Sequence, residues 1–534
     1  MALDSVHPRY AVLSPDWRQL RDFARGERAV KAKTTEYLPP TQGMILDGFG
    51  NPNAYSPASG NGAGTGRYAN LGQAAYDAYL LRAVFPEYVG DALEIFMGML
   101  HNKSPVIELP PELEPMRTNA SEMGEPLELL LQRINLEQLT TGRLGILLDL
   151  PVKPDPRNPM PFIALYVGEA GRNWDADAIG DERAELNFVV LDESGHRRNE
   201  NFDWVVVSKY RVLVLEDVDG KRTYRCGVYT NEGGGAPEYD PEQLRTPAIR
   251  GKTLEQIPFV FVNSRDINPD PDEAPLMSLA RLCAAIYRGE ADYRQNLFMQ
   301  GQDTLVIIGE RAKPLVDPTQ ELGEEPLRTG AGSRIELDIG GDAKYVGVQS
   351  QGLTEQRYAL ENDRKRAESR SGQLIDAAKG DKESGTALKT RVGAQTSTLN
   401  QIAKTGALAL EMILKQAARW IGADPDKVKV TPNLEFADYQ MSGQDLVNLM
   451  TAKRTQGAPL SMESIHRLMV QGNLTHFDYT TEQALIKTEP EFETPEAKLA
   501  RELAEKAAKN KPEPPEPLGP GPAPKDPANP ADAT

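Results

Sequence analysis

Five histidines, two cysteines and one tight run of carboxylates are the residues of this 534-residue chain whose types are best suited to catalysis or metal binding. His7, His101, His196, His466 and His476 are scattered and form no HExxH or other metal-spaced pair, so isolated structural or surface roles are expected of them. Cys226 sits in a strand-like pattern and Cys283 on a helical apolar stripe, which suits buried thiols better than nucleophiles. The stretch "DINPDPDEAP" gathers Asp266, Asp270, Asp272 and Glu273, but Pro269 and Pro271 forbid helical spacing; a solvated loop outweighs a divalent-cation site. No GxSxG elbow and no GxxxxGK[ST] loop occurs, and "TTGRLGILLDL" lacks both the upstream glycine spacing and the lysine. The run "GNGAGTG" leads into no strand-to-helix unit, so it reads as a flexible loop or arm rather than a nucleotide site. No catalytic residue, metal or cofactor is therefore assigned.

A chain this long is expected to divide into roughly two to four domains, with ample apolar surface to bury. Two cysteines do not support a disulfide framework and point to a reducing assembly compartment. No apolar run reaches membrane-spanning length, and the start "MALDSVHPRYAVLSPDW" lacks the basic flank and apolar core of a secretory signal, so a soluble cytoplasmic product is expected. A formal net charge of -18 argues against a sequence-reading DNA binder with a broad basic surface. It still permits a wall past which DNA slides, where weak contact favours transit.

The elements that must carry any function alternate in character. Residues 1–70 mix short helical possibilities such as "SPDWRQLRDFARGE" with glycine and proline. Residues 75–103 give two helices broken near Pro86, and 123–146 give another helix ending in a buried strand, "GILLDLPV". From 147 to 263, "PFIALYV", "ELNFVVLDE", "DWVVVSKYRVLVLED", "RTYRCGVYT" and "IPFVFVNS" are short, β-branched and aromatic, with Asp219 and Gly220 at a hairpin turn.

Residues 275–300 return to helical period, with Leu276, Leu279, Cys283, Ile286, Tyr293 and Leu297 near one stripe. A compact excursion over 303–349 follows, containing "TLVIIG", "SRIELDI" and "KYVGVQ". A second helix, 352–378, repeats Leu353, Leu360, Ala367 and Leu374 every seven residues among charged neighbours. That stripe is too narrow to bury a whole helix, so neighbouring copies could complete its cover; an ordinary insert packed on its own domain is equally allowed. The stretch "ESGTALKTRVGAQTSTLNQIAKTGALALEMILKQAARWIG" then predicts a helix of about 50 Å at 1.5 Å per residue, small and polar first, apolar second. Gly393 and Gly406 are candidate bends. A strand "VKVTPNLEF" and two short helices, with Ser442 and Ser461 as possible caps, precede a charged helix, "KLARELAEKAAKN", and a proline-rich tail that lacks the apolar content to fold alone.

The element order and the motif "KESGTALKTR" resemble the portal proteins of tailed bacteriophages, the head-to-tail connectors, in their portal-like branch of unknown function. Ser384, Gly385, Ala387, Leu388 and Lys389 match the start of the long portal helix, supported by "EAPLMSLARLCAAIYRGEADYRQNL" and by Leu460, Ser461 and Glu463 of "GAPLSMESIHRLM". The likeness spans about residues 75–480. It implies an α+β portal fold assembled as a ring, commonly a dodecamer, around a DNA channel. The implied division is an N-terminal arm at 1–74, a helical and β-rich wing at 75–274, stem helices at 275–302 and 351–378, and a clip at 303–350. A tunnel-loop region at 379–392, a long wing helix and strand at 393–439, a helical crown at 440–486, and a charged helix with disordered proline-rich tail at 487–534 complete it.

The resemblance also implies a place and partners. The chain would sit at the portal vertex of the virion capsid after assembly in the host cytoplasm, passing double-stranded DNA without sequence specificity during packaging and ejection. It would contact the large terminase subunit, major capsid and scaffolding proteins and a head-to-tail adaptor, without entering a membrane. Lys379, Lys382 and Lys389 become DNA-channel candidates, and Leu353, Leu360, Ala367 and Leu374 stem-packing residues. A metal-dependent DNA-processing enzyme and a non-portal virion scaffold or adaptor are the alternatives.

Overall fold

The computed structural model describes residues 3–50, 71–151, 160–176, 185–218, 220–233, 235–300, 304–308, 341–346, 352–371, 385–434, 436, 443–455, 459, 461–471, 474–488, 502, 503 and 506. The chain forms two compact units, Met1–Phe436 and Ala437–Thr534. Helices and antiparallel strands are both extensive, so the α+β class is correct.

The larger unit begins with helices α1 (Pro8–Ala24), α2 (Glu27–Ala32) and α3 (Gln42–Leu46). The portal resemblance implies an arm over 1–74, yet Trp17, Leu20, Phe23, Val30, Tyr37, Leu38 and Met44 are all buried. Residues 8–46 are thus part of the core. Helices α4 (Leu71–Arg82) and α5 (Tyr88–Leu100) flank the break at Pro86 and join the same cluster. After β1 (Val106–Glu108) comes α6 (Leu127–Thr140), which ends at Gly142, where φ is +74°. A Cβ there would lie 2.9 Å from Ala274 Cα, so glycine serves both the turn and the close approach.

Strand β2 (Arg143–Asp149) is buried at every position because it is covered on both faces. It lies between β3 (Phe162–Val167) and β9 (Phe259–Asn263), antiparallel to both. Leu144, Ile146 and Leu148 pack with Val260 and Val262 towards α6, whereas Leu147, Phe259 and Phe261 pack towards the second sheet. That sheet holds β4 (Gly171–Asp175), β5 (Phe188–Asp192), β6 (Gly195–Arg198), β7 (Trp204–Val218) and β8 (Lys221–Glu232). β7 runs the length of β8 and also pairs with β5 and β6. Val218 opposes Lys221, which leaves a two-residue turn with Gly220 at φ +75°.

Helix α7 (Met277–Gln300) leads to β10 (Thr304–Ile308), which pairs antiparallel with β11 (Asp342–Val346), and α8 (Gly352–Ser371) returns. Helix α9 (Gly385–Ile421) is 37 residues long and runs unbroken through Gly393 and Gly406, the two candidate positions for a bend or break. Its apolar half buries Leu410, Ile413, Leu414, Ala417 and Trp420 in the cluster shared with α6 and β2. Gly422, at φ +89°, closes the helix, its N–H and that of Ala423 both donating to Ala418 O. Strand β12 (Lys429–Thr431) pairs with β1 and is shorter than the strand pattern of 428–436.

In the smaller unit, α10 (Gly443–Thr455), α11 (Met462–Gln471) and α12 (Tyr479–Thr488) are short helices. Ser461 Oγ accepts the Ser464 N–H at 2.9 Å, the predicted cap. Ser442 and nearly all of the charged helix and tail lie outside the described residues.

Candidate functional site

The α7–α8 hairpin is the part of the described chain where the sequence-derived residues converge. Leu276, just before α7, and Leu279, Cys283 and Ile286 on it enter the main cluster, as apolar residues three to four apart do when one helix face meets a core. Burial pushes the Cys283 thiol up to about 12 and raises that of Cys226 as well, so neither supplies a thiolate at neutral pH.

Helix α8 lies antiparallel to α7. Its charged circumference leaves one narrow apolar row, yet Leu353, Leu360 and Ala367 are all buried within this single chain. Gly289 makes this possible: a Cβ there would lie 3.1 Å from Leu360 Cδ2, so the two helices approach closely. A second row is electrostatic. Glu290, nearly buried, accepts from Arg294 Nε at 2.6 Å and from Arg364 Nη2 at 2.6 Å, bridging the helices. Arg370 Nη1 donates to Ser278 O at 3.3 Å, and Asn296 Nδ2 to Gln356 Oε1 at 3.2 Å. Of the two readings left open for this stripe, packing within its own chain is the one observed: α7 and α5 cover it, and the Glu290 carboxylate bridges the charged row beside it. Leu374 lies outside the described residues.

Cover ends toward the β10–β11 pair. Leu297, Phe298 and Met299 on α7, Ile308 on β10 and Tyr358 on α8 are exposed by 41–64 %. Arg82 stacks over Phe298 at 4.1 Å. On its outward side, α8 presents Asn362, Lys365, Arg366, Ser369 and Arg370 around an open depression of about 510 Å³. Sequence inspection passed over both this cationic face and the Glu290 bridge. The i, i+4 pairing of Glu290 with Arg294 in "GEADYR" was the available signal.

The remaining candidates separate from this hairpin. Lys379, Lys382 and Ser384 lie outside the described residues, whereas Gly385, Ala387, Leu388 and Lys389 fall in the first two turns of α9. The acidic loop folds around Asn263, whose Nδ2 donates to Asp266 Oδ1 at 2.9 Å and to Asp270 O at 2.7 Å. Asp272 accepts the Arg265 N–H at 3.2 Å, and Glu273 pairs with Arg281 at 3.3 Å. Burial and the neighbouring Asp266 raise the Asp272 carboxyl above its ordinary range. Among the described residues no group of three or more His, Cys, Asp or Glu is arranged to hold a metal ion. The histidines take separate positions: His101 Nε2 faces Asn135 Nδ2 at 3.1 Å, His466 meets Tyr479 edge to face, and His196 is exposed on β6. Among the described residues no helix is long and apolar enough to cross a membrane.

A family described as a domain of unknown function (DUF4055) matches residues 275–421, the stretch from α7 through α9. No curated protein sequence matches the chain significantly. Among solved structures, a chain from the neck of an empty GTA particle, computed with C6 symmetry, is similar at 15 % identity and a TM-score of 0.34. It covers 73 % of this chain and 90 % of that one. A chain from the neck of a native GTA particle, computed with C12 symmetry, is similar at 13 % identity and a TM-score of 0.33, covering 72 % and 89 % respectively.

Proposed function

We propose that this chain is a ring-forming subunit of the head-to-tail connector of a phage-like particle and, within that class, a portal protein through which double-stranded DNA passes. The observation that carries the proposal is the hairpin: two antiparallel helices rooted in the core, tipped by the β10–β11 pair and followed by one 37-residue helix that starts at the Ser384–Lys389 motif. Intrachain burial of Leu353, Leu360 and Ala367 withdraws incomplete cover of the shaft as a reason for a ring. The exposed Leu297, Phe298, Met299 and Tyr358 at the far end supply a more restricted one, since apolar side chains grouped beside a β tip suit contact with an adjacent copy. On this reading the chain itself hydrolyses nothing. A terminase drives DNA through it, and capsid, scaffolding and adaptor proteins dock around it in the virion.

Cryo-electron microscopy of the purified protein, without imposed symmetry, tests the assembly. A closed ring with an open axial passage is the expected image, with a dodecamer as the expected count. A monomer at high concentration, or an assembly without a passage, overturns the proposal. Metal-dependent cleavage of DNA by the purified protein would favour the enzymatic alternative instead.

The lysines make a second prediction. Replacing Lys379, Lys382 and Lys389 together by glutamine is expected to leave ring assembly intact and to lower DNA retained in particles by about tenfold, because phosphate contacts are lost without loss of subunit packing. Unchanged retention, with rings lost, would reject their role at the channel.

A further inference from the structure

Residues 3–7 cross the β layer ahead of α1 as a strap. The Leu3 N–H donates to Pro237 O at 3.1 Å and the His7 N–H to Arg172 O at 2.9 Å. Leu3 and Val6 pack against the apolar clusters of the second sheet. The strap ends at the N-cap of α1, where His7 is extended and its Nδ1 accepts the Arg9 N–H at 3.2 Å. That bond needs the lone pair of an unprotonated Nδ1. Histidine is not a favoured cap; here the ring is fixed by stacking on Trp174, centroids 3.9 Å apart and planes within 20°. The same buried indole receives the Arg143 guanidinium at 4.5 Å, which also lies 3.9 Å over Phe261. Arg143 is fully buried, its Nη1 donating to Asn263 Oδ1 at 3.2 Å while Nε and Nη2 have no hydrogen-bond partner.

We propose that His7 is an acid-sensitive latch: protonation of its imidazole undocks the strap from the sheet and loosens the first turn of α1. Three consequences of the geometry point the same way. The cap is lost when Nδ1 becomes a donor. The new cation sits at the positive end of a helix. It also joins the guanidinium groups of Arg143 on β2 and Arg9 on α1 in a partly desolvated place. Asp270 in the loop before α7, Asp175 on β4 and the face of the indole oppose this by attracting the imidazolium. Partial burial, followed by the two guanidinium groups, outweighs them and holds His7 below its ordinary range. Because docking depresses the pKa, docking is strongest above the free-histidine value of about 6.5 and weakens as pH falls through and below it.

Hydrogen–deuterium exchange on the full-length protein, corrected for intrinsic exchange, tests the latch at pH 7.5 and 5.5. The Leu3 and His7 amides are expected to open at least about threefold more often at the lower pH, with the β7–β8 hairpin unchanged. His7→Asn keeps a cap acceptor that does not titrate, so it should remove the pH dependence while preserving the hairpin's protection. His7→Gln should behave likewise if the asparagine distorts the strap. An unchanged strap in the native protein, a pH response that survives both substitutions, or opening of the hairpin in parallel with the strap would each overturn the proposal.

Discussion

Trp17→Ala is expected to lower the unfolding free energy of the larger unit by about 3–5 kcal/mol, the range for truncating a large aromatic side chain in a packed core. Trp17 has no exposed surface and meets Tyr10 edge to face at 5.7 Å in the cluster that includes Leu147, Trp174, Leu213 and Phe261. Within the next two turns of α1, Leu20 and Phe23 enter a different cluster, with Phe85, Val89 and Tyr287. The helix therefore ties the β layer to the helical layer, and Arg21 reinforces the join through Glu169 at 2.6 Å and Glu137 at 2.9 Å. Denaturant titration followed by far-ultraviolet circular dichroism measures the loss. Trp17→Phe should recover more than half of it, because the ring contacts are largely retained. A change below about 1 kcal/mol would mean that residues 8–24 are the peripheral arm that the portal resemblance implies.

Why the burial of that helix was hard to recognise is physical. "SPDWRQLRDFARGE" is mostly polar because α1 touches the core along one line, and Tyr10, Trp17, Leu20 and Phe23 mark that line. Intervals of seven, three and three residues were a usable signal that the surrounding charge obscured. The strands divide in the same way. β2, β7, β8 and β9 were legible from apolar runs and a glycine turn, but β6 is "GHRR", exposed at each position and held by backbone pairing with β7. No apolar pattern can announce such a strand. On α8 the stripe itself was correctly visible, yet what covers it depends on Gly289 and Glu290 of another helix. Periodicity carries no information about that partner. The lysine candidates illustrate a different limit, since the motif that nominates Lys389 places it at a helix start without specifying what the side chain meets.

Gly406→Ala is expected to destabilise the larger unit by about 2–3 kcal/mol, although alanine alone favours a helix interior over glycine by about 1 kcal/mol. The added Cβ would stand 2.5 Å from Asn135 Oδ1, 2.7 Å from Gln138 Oε1 and 3.3 Å from Ile134 Cγ2. Neither carboxamide is free to withdraw. Gln138 Nε2 donates to Asn263 O at 2.8 Å and to Thr405 Oγ1 at 2.8 Å, and Asn135 Nδ2 lies 3.1 Å from His101 Nε2. Both carboxamide oxygens are buried without a hydrogen-bond partner and lie where the added Cβ would stand. Inserting a methyl group must separate α6 from α9 or break those amide bonds, and either outcome exceeds the helix-propensity gain. A double-mutant cycle with Gln138→Ala isolates the cause: relieving the clash should make the second substitution cost at least about 1 kcal/mol less than its cost in the native background. Stabilisation by Gly406→Ala would instead show that the helices can separate freely, and that α9 does not depend on this crossing to hold its 37-residue course.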